Sequence, residues 1–399
     1  MRFDKNINID YKKLWSKIIG ERDVLLDPFV NHFTTSVILN DTDAYTNHHE
    51  YRHVYDKLWV SKSQNIKCGK LEELHRNENN IKYPIFIKPR WGHLSAASMN
   101  CYKINTPSEL KNYSYLDNMM WSDFIDGTEQ MTDFILVKGK IVYSITYKYS
   151  EKQNGFSDVW KYISPNTPVP NIITNWVNRQ LNNHTGFVNV QYRNNTIIEV
   201  GLRPARNGAY IIATDNYGLI RNINNVYEKH YWDESLEKQM DFKPYYAFKC
   251  YTRFPIIYLW PNKVLEKVVS SFTNMPLFEY YFENVNNEGC VFLQFMHYNF
   301  EEGMYAKKYI EWMFFLTQLS VLTIILVVIS LILYLKSPYR YLFLSVIVLL
   351  YVSMMFNSYF TLRRFYNCII KTKLFKNTHD ISPDEATDLH NKRFLNKNK

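Results

Sequence analysis

The segment Tyr83-Pro84-Ile85-Phe86-Ile87-Lys88-Pro89-Arg90-Trp91-Gly92-His93-Leu94-Ser95-Ala96-Ala97-Ser98 delivers a lysine from an apolar, strand-like run into a loop of small residues. A cation at a strand end beside such a loop can hold a phosphate, and a solvated lysine closing a core strand fits the same run. His48, His49 and His53 include a pair at i, i+4 suited to a metal, yet no acidic or cysteine partner completes the set, which favours surface histidines. Cys68, Cys101, Cys250, Cys290 and Cys368 are odd in number and widely spaced, so they read as reduced thiols.

These residues must be positioned by short strands and helices. Residues 83–88 form one strand. Residues 134–137 and 141–145 pair across Lys138-Gly139-Lys140, and 188–192 and 196–200 pair across Arg193-Asn194-Asn195, both as antiparallel hairpins. The pattern predicts helices over 49–63, 107–112, 172–181 and 265–273, the second with Thr106 as cap and Glu109 three residues on. Strands follow over 245–260 and 290–297, then a helix over 299–310. Strands and helices mixed in this way define an α+β soluble domain.

Composition narrows the function classes. The chain has 399 residues and a net charge of +9, spread without a basic block. That favours a general preference for anionic membranes or ligands over a dedicated nucleic-acid surface, and no nucleic acid is expected as a partner. With 32 Tyr and only 12 Gly, the composition resembles that of AT-rich coding sequence, so glycines and prolines carry more information than tyrosines. That bias, with no clear metabolic signature, suggests a host or virion membrane as the setting.

Two apolar runs, 312–335 and 341–361, are each long enough to cross the ~30 Å hydrocarbon layer as a helix. Lys336-Ser337-Pro338-Tyr339-Arg340 separates them with two charges and a helix-stopping proline. A two-helix transmembrane hairpin is expected, with the lipid bilayer as its partner through 312–361. Lys307, Lys308, Arg363, Arg364, Lys371, Lys373 and Lys376 flank the pair, so the positive-inside rule places the soluble domain and both termini in the cytoplasm. The start of the chain has no apolar core of signal-peptide length, which agrees with that multi-pass topology.

Further motifs then come in a specific order: Tyr55-Asp56-Lys57, the Lys88 strand, Asn105-Thr106-Pro107-Ser108-Glu109-Leu110, Ser122-Asp123-Phe124-Ile125-Asp126-Gly127-Thr128-Glu129, Asn189-Val190-Gln191 and Ile198-Glu199-Val200-Gly201-Leu202-Arg203. From about residue 55 to 217 this order resembles the ATP-grasp superfamily, which includes carbamoyl phosphate synthetase, biotin carboxylase and D-alanine:D-alanine ligase. The resemblance implies that Lys57 and Lys88 hold nucleotide phosphates, that Asp123 belongs to the adenine hinge, and that Glu129 contacts the ribose. It implies that Gln191 and Glu199, on paired strands, present oxygens to magnesium, and that Arg203 and Arg206 stabilise a transferring phosphoryl group or bind a carboxylate substrate. ATP and Mg2+ are the implied cofactors, and an ATP-dependent carboxylate ligase acting through an acyl phosphate is the implied activity.

The chain departs from the family in three places. Gly201 stands where the family has asparagine, only Gly92 remains of the glycine-rich loop, and Ser122 replaces an acidic residue. A catalytically degraded nucleotide-binding or structural membrane module is therefore the competing expectation. The expected organisation is an N-terminal segment 1–54, an ATP-grasp-like domain 55–230, an extension 231–311, membrane helices 312–335 and 341–361, and a basic tail 362–399.

Overall fold

A computed structural model describes residues 33–74, 81–94, 100–113, 117–150, 159–212, 214, 216–252, 278–285, 289–336, and 341–352 apart from 343 and 351. The described residues divide into two compact units, one up to Tyr245 and one from Tyr246 onward. The expected 55–230 domain lies wholly within the first.

That first unit holds a small antiparallel sheet of β1 (Cys68–Lys70), β2 (Ile85–Pro89), β3 (Tyr102–Ile104) and β4 (Met119–Asp123), in the order β1-β4-β2-β3. Ile85 and Ile87 point into a core with Leu71, Leu74, Ile104 and Leu110, while Lys88 is carried just past that core at the strand end. A second antiparallel group runs β7-β6-β5-β8-β9: β5 (Glu129–Val137), β6 (Lys140–Tyr149), β7 (Trp160–Ser164), β8 (Gly186–Arg193) and β9 (Thr196–Gly201).

Both expected hairpins are present, each longer than its apolar centre suggested. The β5–β6 turn needs left-handed backbone at Lys138 (φ 48°) and Gly139 (φ 78°). Only glycine fits the second position, because a Cβ there would lie 1.8 Å from the carbonyl oxygen of Asn182.

Helices α1 (Asp41–Asn47), α2 (Lys57–Lys62), α3 (Leu71–Leu74), α4 (Pro107–Leu110), α5 (Asn171–Gln180), α6 (Ala209–Ile212) and α7 (Tyr217–Lys229) complete the unit. The helix expected over 49–63 is broken. A 3-10 stretch, His49–Tyr55, ends at Asp56, whose carboxylate accepts from Leu58 N at 3.0 Å and starts α2. The 107–112 helix likewise tightens after Leu110 into a 3-10 turn at Lys111–Tyr113. Thr106 caps it and the Glu109 carboxylate returns to Asn105 N at 2.9 Å. The expected 265–273 helix lies outside the described residues. Of the histidine triplet, His49 is exposed, but His48 is half-buried with its ring edge-on to buried His184 at 4.8 Å.

In the other unit, β10 (Tyr245–Thr252) pairs with β12 (Gly289–His297), which also pairs with β11 (Phe278–Val285), all antiparallel. The expected 299–310 helix and first apolar run are one continuous helix, α8 (Phe300–Lys336). Among the described residues this is the one helix long and apolar enough to cross a membrane; its apolar window has a mean hydropathy of 2.5, with 24% of it buried. Leu322, Ile324, Ile325, Leu326, Val328, Ile329, Leu331 and Ile332 all remain exposed, unlike the hidden face of a soluble core helix. The second expected run is helical where described between 341 and 352, and its turn at 337–340 and its end lie outside the described residues.

Candidate functional site

Lys57, Lys88 and Glu199 meet where the small sheet faces β9. The Lys57 ammonium lies 3.2 Å from Glu199 Oε1, and the buried Lys88 ammonium donates to the carbonyl oxygen of Ile198 at 2.7 Å. Their relative position is locked from behind. Arg90, two residues past Lys88, holds Asp56 with two bonds of 2.8 and 2.5 Å, while Lys57 N donates to Arg90 O at 2.9 Å. This lash ties the start of α2 to the end of β2, so the two lysines both reach β9.

The electrostatics follow from that crowding. Burial, then the neighbouring Lys57 charge, pulls Lys88 down to about 8, against the opposing pull of Glu199. Two buried cations close enough to repel each other are suited to a polyanion. Cys101 lies within the field of the same lysines, yet burial pushes its thiol up to about 11, so it is neutral near pH 7.

Gln191 and Glu199 are direct cross-strand partners on β8 and β9, through a register shift between Gln191 and Tyr192. Gly92 lies against Glu199: a Cβ there would sit 3.4 Å from Glu199 Oε1 and 3.5 Å from the backbone oxygen of Tyr55. Glu129 begins β5 and is engaged by Arg193 at 3.2 Å; burial raises its pKa against that guanidinium's pull. Asp123 ends β4, with its N–H on Lys67 O at 2.9 Å, and is half-buried where the chain leaves the small sheet for β5.

Arg203 follows β9 and forms an ion pair with Asp41 at 2.8 Å. Arg206 lies three residues on, in the 3-10 turn Ala205–Gly208, with a left-handed φ of 48°. Thus the structure brings Lys57 into contact with Glu199, seats Lys88 on the carbonyl of the preceding residue, Ile198, and sets Gln191 across from Glu199. Arg203 sits farther along the same strand exit.

Three residues were not anticipated as part of this site. Asp133, wholly buried, takes Ala205 N on both carboxylate oxygens (3.0 and 2.9 Å), Tyr147 OH at 2.7 Å and Asn189 Nδ2 at 2.7 Å. It thereby fixes the chain just after Arg203, and burial pushes it up to about 6 despite those bonds. Lys161, buried on β7, places its ammonium 4.6 Å from the Tyr149 ring and 3.3 Å from Tyr210 OH, and its charge is felt at Glu129. A charge in a run as apolar as Trp160–Ser164 was the available signal for Lys161. Asp41, in α1, carried no signal of its own.

No protein-family model matches the chain. No curated protein matches it either. Among solved structures it is similar to an L-amino acid ligase from Bacillus licheniformis, at 15% identity over 65% of this chain and 70% of that one, with a TM-score of 0.47. It is also similar to a carboxyaminoimidazole ribonucleotide synthase from Aspergillus clavatus complexed with ATP, at 11% identity over 62% and 69%, TM-score 0.43. A third is the biotin carboxylase domain of Hydrogenobacter thermophilus 2-oxoglutarate carboxylase with MgADP and bicarbonate, at 12% identity over 64% and 65%, TM-score 0.44.

Proposed function

We propose that this chain is a membrane-anchored, ATP-grasp-like protein that uses ATP and magnesium to activate a small-molecule carboxylate as an acyl phosphate for attack by an amine or related nucleophile. The observation that carries the reading is the convergence of Lys57 and Lys88 on adjacent residues of β9, Glu199 and the Ile198 carbonyl, with Gln191 across from Glu199. Two buried ammonium groups beside a carboxylate and an amide oxygen fit a nucleotide phosphate bridged by a divalent cation. In this reading Lys57 and Lys88 hold the phosphates, Asp123 and Glu129 flank the base and ribose, and Gln191 and Glu199 hold magnesium. Bound there, the cation supplies charge neutralisation at the phosphates. Arg203, with Arg206, orients the carboxylate.

The exposed apolar side chains of α8 support anchoring to a bilayer, and the proposed second crossing at 341–361 makes the chain multi-pass with a cytoplasmic soluble domain. A degraded nucleotide-binding or structural module is the second reading, favoured by Gly201 and by the engagement of Arg203 with Asp41.

Titration calorimetry of the full chain in detergent, with ATP in the presence and absence of magnesium, tests the proposal. Magnesium-dependent binding that Lys88→Ala removes and Glu199→Ala weakens supports it. Absence of nucleotide binding, or binding indifferent to both substitutions, ends it.

A further inference from the structure

The Arg203 guanidinium is occupied by the chain itself. Its Nε and Nη2 both donate to Asp41 Oδ2, at 3.0 and 2.8 Å, while Nη1 donates to Pro204 O at 3.1 Å. The other carboxylate oxygen, Asp41 Oδ1, lies 3.0 Å from where a Cβ on residue 201 would stand, so a side chain there would crowd it. Buried Tyr55 completes the receptor: its hydroxyl accepts from Leu202 N at 2.9 Å, and its own proton is available to Asp41. A guanidinium fork, a phenol and a bare stretch of backbone form a half-enclosed seat for one carboxylate.

The occupant is a single side chain on the first residue of α1, about a quarter exposed (26%). The helix itself is held in place, since Ala44 is buried in the core, Arg52 donates to Tyr45 O at 2.7 Å and to Thr46 O at 3.3 Å, and the Tyr45 ring stacks on His93 at 3.7 Å. The Asp41 carboxylate can therefore leave Arg203 by a rotamer change toward solvent while α1 stays where it is. The receptor, by contrast, is rigid, because Asp133 pins Ala205 N and Tyr55 pins Leu202 N on either side of Arg203.

We propose that the Arg203 seat is a carboxylate-binding site presently filled by Asp41, so that an external carboxylate enters by displacing the Asp41 side chain. This deepens, and rests on, the ligase reading: Asp41 acts as a built-in competitor that lowers apparent carboxylate affinity roughly tenfold or more.

The test uses acetate as the probe and the full chain in detergent, with chloride at equal ionic strength as control. For Asp41→Ala, acetate should raise the melting temperature saturably, by about 3 °C or more, while the wild type stays flat. Arg203→Lys in the Asp41→Ala background should abolish the response. Asp41→Asn keeps the volume and the start of α1 but not the charge, and should respond to acetate in the same direction, which decides the matter if Asp41→Ala does not fold. An acetate response in neither Asp41 variant, or one equally large in the wild type, overturns the proposal. Magnesium-dependent ATP binding measured on the same samples separates the two readings: binding without any acetate response sinks self-occupancy alone, whereas an acetate response without nucleotide binding leaves a carboxylate seat and sinks the ligase reading.

Discussion

In α8 the residues that act together are neighbours in sequence, whereas the candidate site is assembled from segments as far apart as Asp41 and Arg203, 162 residues distant. The helix exposes apolar side chains and needs no partner within the chain to satisfy its backbone. The site does the reverse: it buries charged groups, and each needs a specific counterpart. Lys88 has the Ile198 carbonyl, Lys57 has Glu199, and Asp56 has Arg90. One region tolerates many substitutions of one kind and fails on a single charge. The other fails on loss of one named group.

The largest expected effect lies in the site. Lys88→Ala should lower MgATP affinity about 100-fold, or about 2–3 kcal/mol, by calorimetry, and leave membrane fractionation unchanged. Because Lys88 is held down to about 8, affinity for the anionic ligand should also weaken as pH rises through 8. A binding curve flat from pH 7 to 9 would detach Lys88 from the ligand.

Next comes the helix. Leu326→Arg places a charge in the exposed apolar stretch and should cost about 2.5–3.5 kcal/mol of insertion free energy, read as a shift from the membrane to the soluble or aggregated fraction. The same change made at an exposed soluble-domain site, Ile172→Arg, should move nothing. If both variants fractionate alike, α8 is not an anchor.

A smaller effect separates the two regions by pH. His184 is buried with its Nε2 at 3.2 Å from Phe187 O, and burial, then the neighbouring His48, pulls it down to about 3. Below its unfolded value near 6.5 the unfolded chain binds the extra proton and the folded chain does not, so stability present above pH 6.5 is lost progressively as pH falls toward 3. Thermal melts of the soluble region should show that acid limb, and His184→Leu should flatten it. Helix α8 has no part in it.

The mildest perturbation is a glycan. The sequons at Asn40, Asn112, Asn183 and Asn194 should stay unmodified in a eukaryotic host if the soluble domain is cytoplasmic. A mobility shift removed by glycosidase would reverse the proposed topology.

Much of the site's framework was legible because strands announce themselves locally. Alternating apolar residues around Lys138-Gly139 and Asn194-Asn195 defined two hairpins, but regular pairing from the Arg193–Thr196 pair would set Gln191 across from Ile198, and a register shift between Gln191 and Tyr192 brings Glu199 there instead. The break at Asp56 was missed because 49–63 reads as continuous helix until Arg90 claims the Asp56 side chain, an event 34 residues away. The Asp133 network was equally hidden, since a carboxylate in a strand is ordinarily a solvent-facing residue.

By itself the sequence determined the α+β pattern, the hairpin turns, the strand that ends in Lys88 and the apolar helix, all of which depend on residues within one or two turns of chain. The tertiary structure decided which charges meet. Lys57 faces Glu199, Asp133 holds the chain beside Arg203, and Asp41 fills the Arg203 fork, because long-range pairing of buried charges follows from packing that brings distant segments within about 3 Å.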